Sequence, residues 1–202
     1  ADNDATLQKY PEVILTGFRR PLFGTPLQIE FSAGYDHYYR QEGQKGHLWE
    51  MNPTLYLPVN LGPYVQVTPQ AGFRGSVWER SDSVPDGDDK YGNREVFQLG
   101  ATLSTEINRV FAVGGGTVEK IRHGIKPELT YTYIPDPSQD HTPDFLERVH
   151  GQNGLTYALT NTLLARVKGK DGKVSYREML RFKLAQTYDI REARRGVSSP
   201  AR

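Results

Sequence analysis

Cysteine is absent from the 202-residue chain. Its absence excludes a disulfide framework and thiolate-held zinc, and leaves the redox compartment open. Nor does any run of about eighteen apolar residues occur, so no transmembrane helix is encoded. The opening ADNDATLQKYPEV lacks the basic and apolar regions of a signal peptide. An exported protein would therefore have lost its signal or would continue beyond this stretch. Charge of one sign is missing as well: 25 basic and 24 acidic residues leave a net charge of +1. Neither a basic stripe for nucleic acid nor an acidic tail is present. With 37% hydrophobic and 24% charged residues, the composition is that of a folded chain.

Motifs that carry chemistry are also missing. The five histidines, His37, His47, His123, His141 and His150, show no metal-ligand spacing, and no Gly-x-Ser-x-Gly elbow appears. VGGGT lacks the Lys and following Ser/Thr of a phosphate-binding loop. DGDDKYGN is acidic enough for calcium, but Lys90 stands where a ligand is needed, so a solvated loop is the reading. No catalytic residue, metal or cofactor is expected. An outer-membrane lipase would need a Ser and His brought together that the sequence does not announce.

What the chain does have is alternation with a period of two, in segments longer than soluble strands usually need. In LQIEFSAGYDHYYR, Leu27, Ile29, Phe31, Ala33, Tyr35 and Tyr39 share one face, and Gln28, Glu30, Ser32, Asp36 and Arg40 the other. Val65, Val67, Pro69, Ala71, Phe73 and Val77 oppose Gln66, Thr68, Gln70, Arg74, Ser76 and Arg80. Phe97, Leu99, Ala101, Leu103 and Ile107 oppose Arg94, Gln98, Thr102, Ser104 and Glu106. Further on, Ile125, Pro127, Leu129, Tyr131 and Tyr133 oppose Lys126, Glu128, Thr130 and Thr132. In the last segment, Leu180, Phe182, Leu184, Tyr188 and Ile190 oppose Arg177, Arg181, Lys183, Asp189 and Arg191.

About eight such segments occur, each near the ten residues that cross a bilayer at a tilt. The short connections FGTP, NLGP, VGGGT and KGKDGK alternate with the longer, polar RQEGQKGH, RSDSVPDGDDKYGN and PDPSQDHTPDFLERVHGQN. Hairpins of an outer-membrane barrel alternate in this way. Asp171-Gly172 predicts a type I′ turn. If the short turns face the periplasm, the chain ends in an external loop, REARRGVSSPAR, where a self-contained barrel would not be expected to stop.

The expected fold is therefore all-β: an antiparallel up-and-down transmembrane β-barrel section over residues 1–202. Glu30, Asp36, Arg74, Arg94, Lys126, Glu128, Arg181 and Lys183 would point to a water-filled lumen. Alternation is symmetric under inversion, so a soluble β-sandwich or lipocalin-like barrel, with the charged face outward, stays open. Pro53, Pro69 and Pro127, like Pro58, stand inside strands and each removes a ladder donor, which predicts weakened pairing or bulges. Tyr35, Tyr38, Tyr39, Tyr56, Tyr64, Tyr131, Tyr133 and Tyr188 are candidates for interfacial girdles.

LQKYPEV, MNPTLYLPVNLGPYVQVTPQAGFRGSVW, HGIKPELTYTYIPDPSQDHTPDF, GQNGLTYALTNTLLARV and LRFKLAQTYDI follow one another in an order that resembles the LptD family of LPS-assembly outer-membrane proteins, also called organic solvent tolerance proteins. The resemblance implies about eight strands of a much larger barrel in the outer membrane of a Gram-negative bacterium. It further implies a lipoprotein plug of the LptE type, lipopolysaccharide received from periplasmic bridge proteins and its insertion into the outer leaflet. The family's periplasmic jellyroll, cysteine pairs and closing strands have no counterpart in these residues, and no gate or plug contact is assigned. Two rivals remain: a complete eight-stranded structural or adhesive outer-membrane barrel, and a soluble lipid-binding barrel.

Overall fold

Period-two alternation with β-branched and aromatic residues builds strands, and the computed structural model is a single ten-stranded antiparallel sheet. It describes residues 6–82, 89–114, 116–169 and 171–197. The strands are β1 (Gln8–Pro21), β2 (Gln28–Tyr39), β3 (Gly46–Tyr56), β4 (Val59–Leu61), β5 (Val65–Arg80), β6 (Tyr91–Thr105), β7 (Ile107–Ala112), β8 (Val118–Ile134), β9 (Gln152–Lys168) and β10 (Val174–Asp189). Eight of them form the path β1-β2-β3-β5-β6-β8-β9-β10, with β4 added on β5 and β7 on β8. β1 and β10 each pair on one side only, so the sheet is open.

Ten elements follow from eight segments because two are interrupted. Thr54 faces Gly72 and Val59 faces Val67 in the same register, with Pro58 at the break between β3 and β4. The β3–β5 ladder also skips from Met51–Gly75 to Thr54–Gly72, and Pro53 stands in that gap. Pro69 keeps its acceptor role, its carbonyl taking the Leu57 N–H at 3.0 Å. In β7, Ile107 faces Ile125. Continuing that register sets Pro127 opposite Thr105, at the break between β6 and β7.

The chain divides into two compact units. The first holds Ala1–Leu57, Pro69–Gly100 and Thr132–Asn153; the second holds Pro58–Thr68, Ala101–Tyr131 and Gly154–Arg202. The first has a true core, in which Tyr38, Leu48, Trp78, Phe145 and Leu146 are buried together. Gly92 is required there because the Trp78 indole lies against it; a Cβ at that position would meet Cζ2 at 2.3 Å.

The long polar connection 135–151 buries Pro143, Phe145, Leu146 and Val149. Three local expectations are corrected. After β10 the chain forms a helix, α1 (Ile190–Val197), rather than only loop. Its first N–H groups are capped by Asp189, which accepts from Arg191 at 2.8 Å and Glu192 at 3.0 Å; residues 198–202 lie outside the description.

The KGKDGK turn is not type I′. Positive φ falls on Gly172 (77°) and not on Asp171. The Gly169 N–H reaches the Lys173 carbonyl at 2.8 Å, giving a three-residue loop closed by a left-handed glycine. Lys170, Gly115 of VGGGT and the first three residues of DGDDKYGN lie outside the described residues.

A register shift between Glu178 and Leu180 adds one residue to β10 at Met179. Because the side-chain period is two, that extra residue moves Arg177 off the face that carries Arg181. It also puts Glu178 on Arg181's face, where they pair at 2.7 Å.

Candidate functional site

Pairing fixes the two faces of the first unit. Asp36 opposes Leu48 and Ser32 opposes Asn52; on the other face Tyr35 opposes Trp49 and Ala33 opposes Met51. β5 continues both rows, with Trp78 against Leu48 and Val77 against Trp49. The face with Asp36, Glu50, Arg74, Ser76 and Arg94 is polar, but Tyr38, Leu48, Trp78 and Val96 interrupt it with apolar side chains. All four are buried.

What buries them is the connection 135–151, which folds back over this face as a strap. Phe145 stacks on Tyr38 with ring centroids 5.0 Å apart, and Leu146 joins the same cluster. Burying an apolar side chain of this size contributes about 1.5–3 kcal/mol. Gln139 closes the strap on itself, donating to the Val149 carbonyl at 2.8 Å and accepting the Val149 N–H at 2.9 Å.

Charged contacts bind the strap to the sheet. Arg74 donates to Glu147 at 2.9 Å and to Glu50 at 3.2 Å. Arg94, only 5% exposed, donates to the Glu147 carbonyl at 2.8 Å and to Gln139 at 3.3 Å. Arg40 pairs with Asp144, whose N–H donates to Gln44 at 2.7 Å. The hydrogen bond from Arg74, with its positive charge, holds the Glu147 carboxyl below the usual range. At the neighbouring loop, burial alone would push Asp82 up, but the Arg80 fork at 2.7 Å and the Lys45 N–H outweigh it and bring the carboxyl down.

Beside the strap lies a cavity of about 410 Å3 lined by Ser32, Asn52, Thr54, Gln98, Arg74 and Val149, among others. Hydroxyl and amide groups dominate its polar lining. Arg74 therefore borders the cavity while holding the strap's Glu147.

Of the residues singled out from sequence, Arg74 and Arg94 converge on Glu147. Glu30 accepts from the Tyr56 hydroxyl at 3.4 Å, and Asp36 from Lys9 at 3.1 Å. In the second unit Lys126 and Glu128 pair with each other at 3.0 Å, Arg181 pairs within its own strand, and Lys183 stands opposite Thr160. Tyr38 and Tyr56 lie on the polar face, whereas Tyr35 lies on the apolar one opposite Trp49. The strap residues Asp144, Phe145, Leu146 and Glu147, and their partner Arg40, were missed. The apolar pair Phe145-Leu146 inside a polar loop was the available signal.

The opposite face is apolar and bare in both units. Trp49, Met51, Val77, Phe97 and Leu99 are exposed in the first, and Leu103, Tyr157, Leu159, Phe182 and Leu184 in the second. Soluble monomers rarely expose contiguous apolar patches of such extent. Among the described residues no helix is long and apolar enough to cross a membrane, and no group of three or more His, Asp or Glu could hold a metal ion.

Residues 1–201 match the model of the LptD family, LPS transport system D. The chain belongs to the LptD family. A relative from Nitrosospira multiformis, named LPS-assembly protein LptD, is 20% identical over 185 residues, covering 81% of this chain and 19% of its own length. The chain thus spans about a fifth of that relative. The long antiparallel strands of this family member fit an outer-membrane β-barrel.

Proposed function

We propose that these 202 residues form one section of the wall of a large outer-membrane barrel in a Gram-negative bacterium. The barrel hands lipopolysaccharide from periplasmic bridge proteins to the outer leaflet, with a lipoprotein plug of the LptE type as partner and no catalytic step. The apolar face meets lipid; the face with Glu30, Asp36, Arg74, Arg94, Lys126, Glu128, Arg181 and Lys183 lines a watery lumen through which the charged saccharide passes. Pro53, Pro69 and Pro127 weaken strand pairing locally and give the wall some compliance. The unpaired edges of β1 and β10 take neighbouring strands of the longer wall.

One observation carries this reading. The strap packs on the polar face and leaves the apolar face bare, the reverse of what a soluble barrel needs. Family membership supports the transport role.

The chain's two tryptophans sit on opposite faces, which gives the test. In phospholipid bilayers containing brominated acyl chains, Trp49, left alone by Trp78→Phe, is expected to be strongly quenched. Trp78, left alone by Trp49→Phe, is expected to keep its emission. Equal quenching of both, or quenching of Trp78 alone, sinks the orientation.

A further inference from the structure

The strap's carboxylates behave as built-in anions on an arginine-bearing wall. Two strap acids three positions apart, Asp144 and Glu147, are each held by an arginine from outside the strap, Arg40 and Arg74. Both acids are largely in solvent, at 53% and 76% exposure, while Arg40 and Arg74 are the more enclosed partners. An incoming anion can therefore reach the arginine forks by displacing groups that are themselves easily hydrated. Arg74 also borders the 410 Å3 cavity, whose Ser32, Asn52, Thr54 and Gln98 offer donors and acceptors of the kind sugar hydroxyls need.

We propose that this cavity is a binding site for an anionic saccharide, with a phosphate or carboxylate on the sugar taking Arg74 from Glu147 and thereby releasing the strap. Arginine binds phosphate bidentately, a geometry that lets it compete with a carboxylate on the same fork. Once Glu147 leaves Arg74, the strap is held only by its remaining contacts, chiefly Arg94 on its backbone and Phe145 on Tyr38, and undocks more readily, so ligand binding and strap docking oppose each other through one shared side chain. Each lowers the other's affinity by the same factor. The site rests on the polar face being the lumen, as proposed above, but its test does not use the lipid-facing tryptophan.

Trp78 is packed against the strap residues Phe145 and Leu146 and reports its docking. In the Trp49→Phe background, glucose 1-phosphate added at constant ionic strength is expected to red-shift Trp78 emission and open it to acrylamide. Glucose at the same concentration leaves the spectrum unchanged, and inorganic phosphate acts only at higher concentration. Glu147→Gln, an exposed change that leaves the fold intact, lowers the glucose 1-phosphate midpoint by up to about fivefold, the equivalent of about 1 kcal/mol of removed competition. Arg74→Gln abolishes the response.

An unresponsive Trp78, or a midpoint that Glu147→Gln does not move, overturns the site. Equal potency of inorganic phosphate and glucose 1-phosphate overturns the saccharide specificity. If brominated lipid quenches Trp49 while Trp78 ignores the sugar phosphate, the orientation stands and the site alone falls.

Discussion

β3 and β10 are both long antiparallel strands with alternating side chains, yet they end in opposite states. In β3, Gly46 and Leu48 are buried and the pattern alternates; in β10 all 16 residues are exposed. Pairing explains part of it, since β3 lies between β2 and β5 whereas β10 is an edge strand with β9 alone beside it. Cover explains the rest: the face of β3 that carries Leu48 lies in the cluster with Phe145 and Leu146 of the strap, and among the described residues no buried cluster includes a residue of β10. An alternating strand presents two faces and buries neither; something else must close one of them.

The largest expected effect comes from removing that cover. Phe145→Ala takes away the ring stacked on Tyr38 and opens a void beside Leu48 and Trp78. Truncation of a buried Phe costs about 3–5 kcal/mol, towards the lower end where a loop can collapse into the space. In the Trp49→Phe background, urea unfolding followed through Trp78 should show an earlier midpoint, with Trp78 red-shifted before any denaturant is added. An unchanged midpoint and spectrum would mean that the strap does not close this face in solution.

A smaller effect is expected from acid. The Glu147 carboxyl is held below its ordinary value, chiefly by the Arg74 hydrogen bond. A depressed folded value means that the contribution is fully present above the unfolded value, about 4.3, and is lost as pH falls through the folded one. The strap should therefore loosen below about pH 4 and hold at neutral pH. The side chain is 76% exposed, so solvent screening keeps the pair within about 0.2–1 kcal/mol. Hydrogen exchange of residues 135–151 should quicken across that interval, and Glu147→Gln should remove the Arg74-linked part of the change. A strap equally protected at pH 3 and pH 7 would contradict this account.

The strands and their two faces were legible because alternation is a local pattern that reads directly as geometry. The strap was not, because its burial depends on residues far apart in the chain: Phe145 finds Tyr38, and Glu147 finds Arg74. A trace of it was nonetheless present. Tyr38, Leu48, Trp78 and Val96 each break the polar row of their own strand, and together they mark the strap's footprint. Each was a single exception within one strand; only the β2-β3-β5-β6 order gathers them into a patch. The bulge at Met179 escaped for a different reason, since an inserted residue leaves no compositional mark and shows only in the pairing with β9.

The smallest effect tests the other side of the comparison. Leu184 on the edge strand β10 is 63% exposed and Leu48 on the inner strand β3 is 2% exposed, so one truncation, Leu→Ala, compares a bare site with a covered one. At position 48 it should cost about 2–5 kcal/mol, because atoms are lost from a packed cluster. At position 184 it should shift stability in detergent by less than about 0.5 kcal/mol, as exposed positions without special contacts do. The side chain there already meets an apolar medium in a micelle, and shortening it opens no cavity. A cost at Leu184 approaching that at Leu48 would show that β10 is covered by an element outside the described residues.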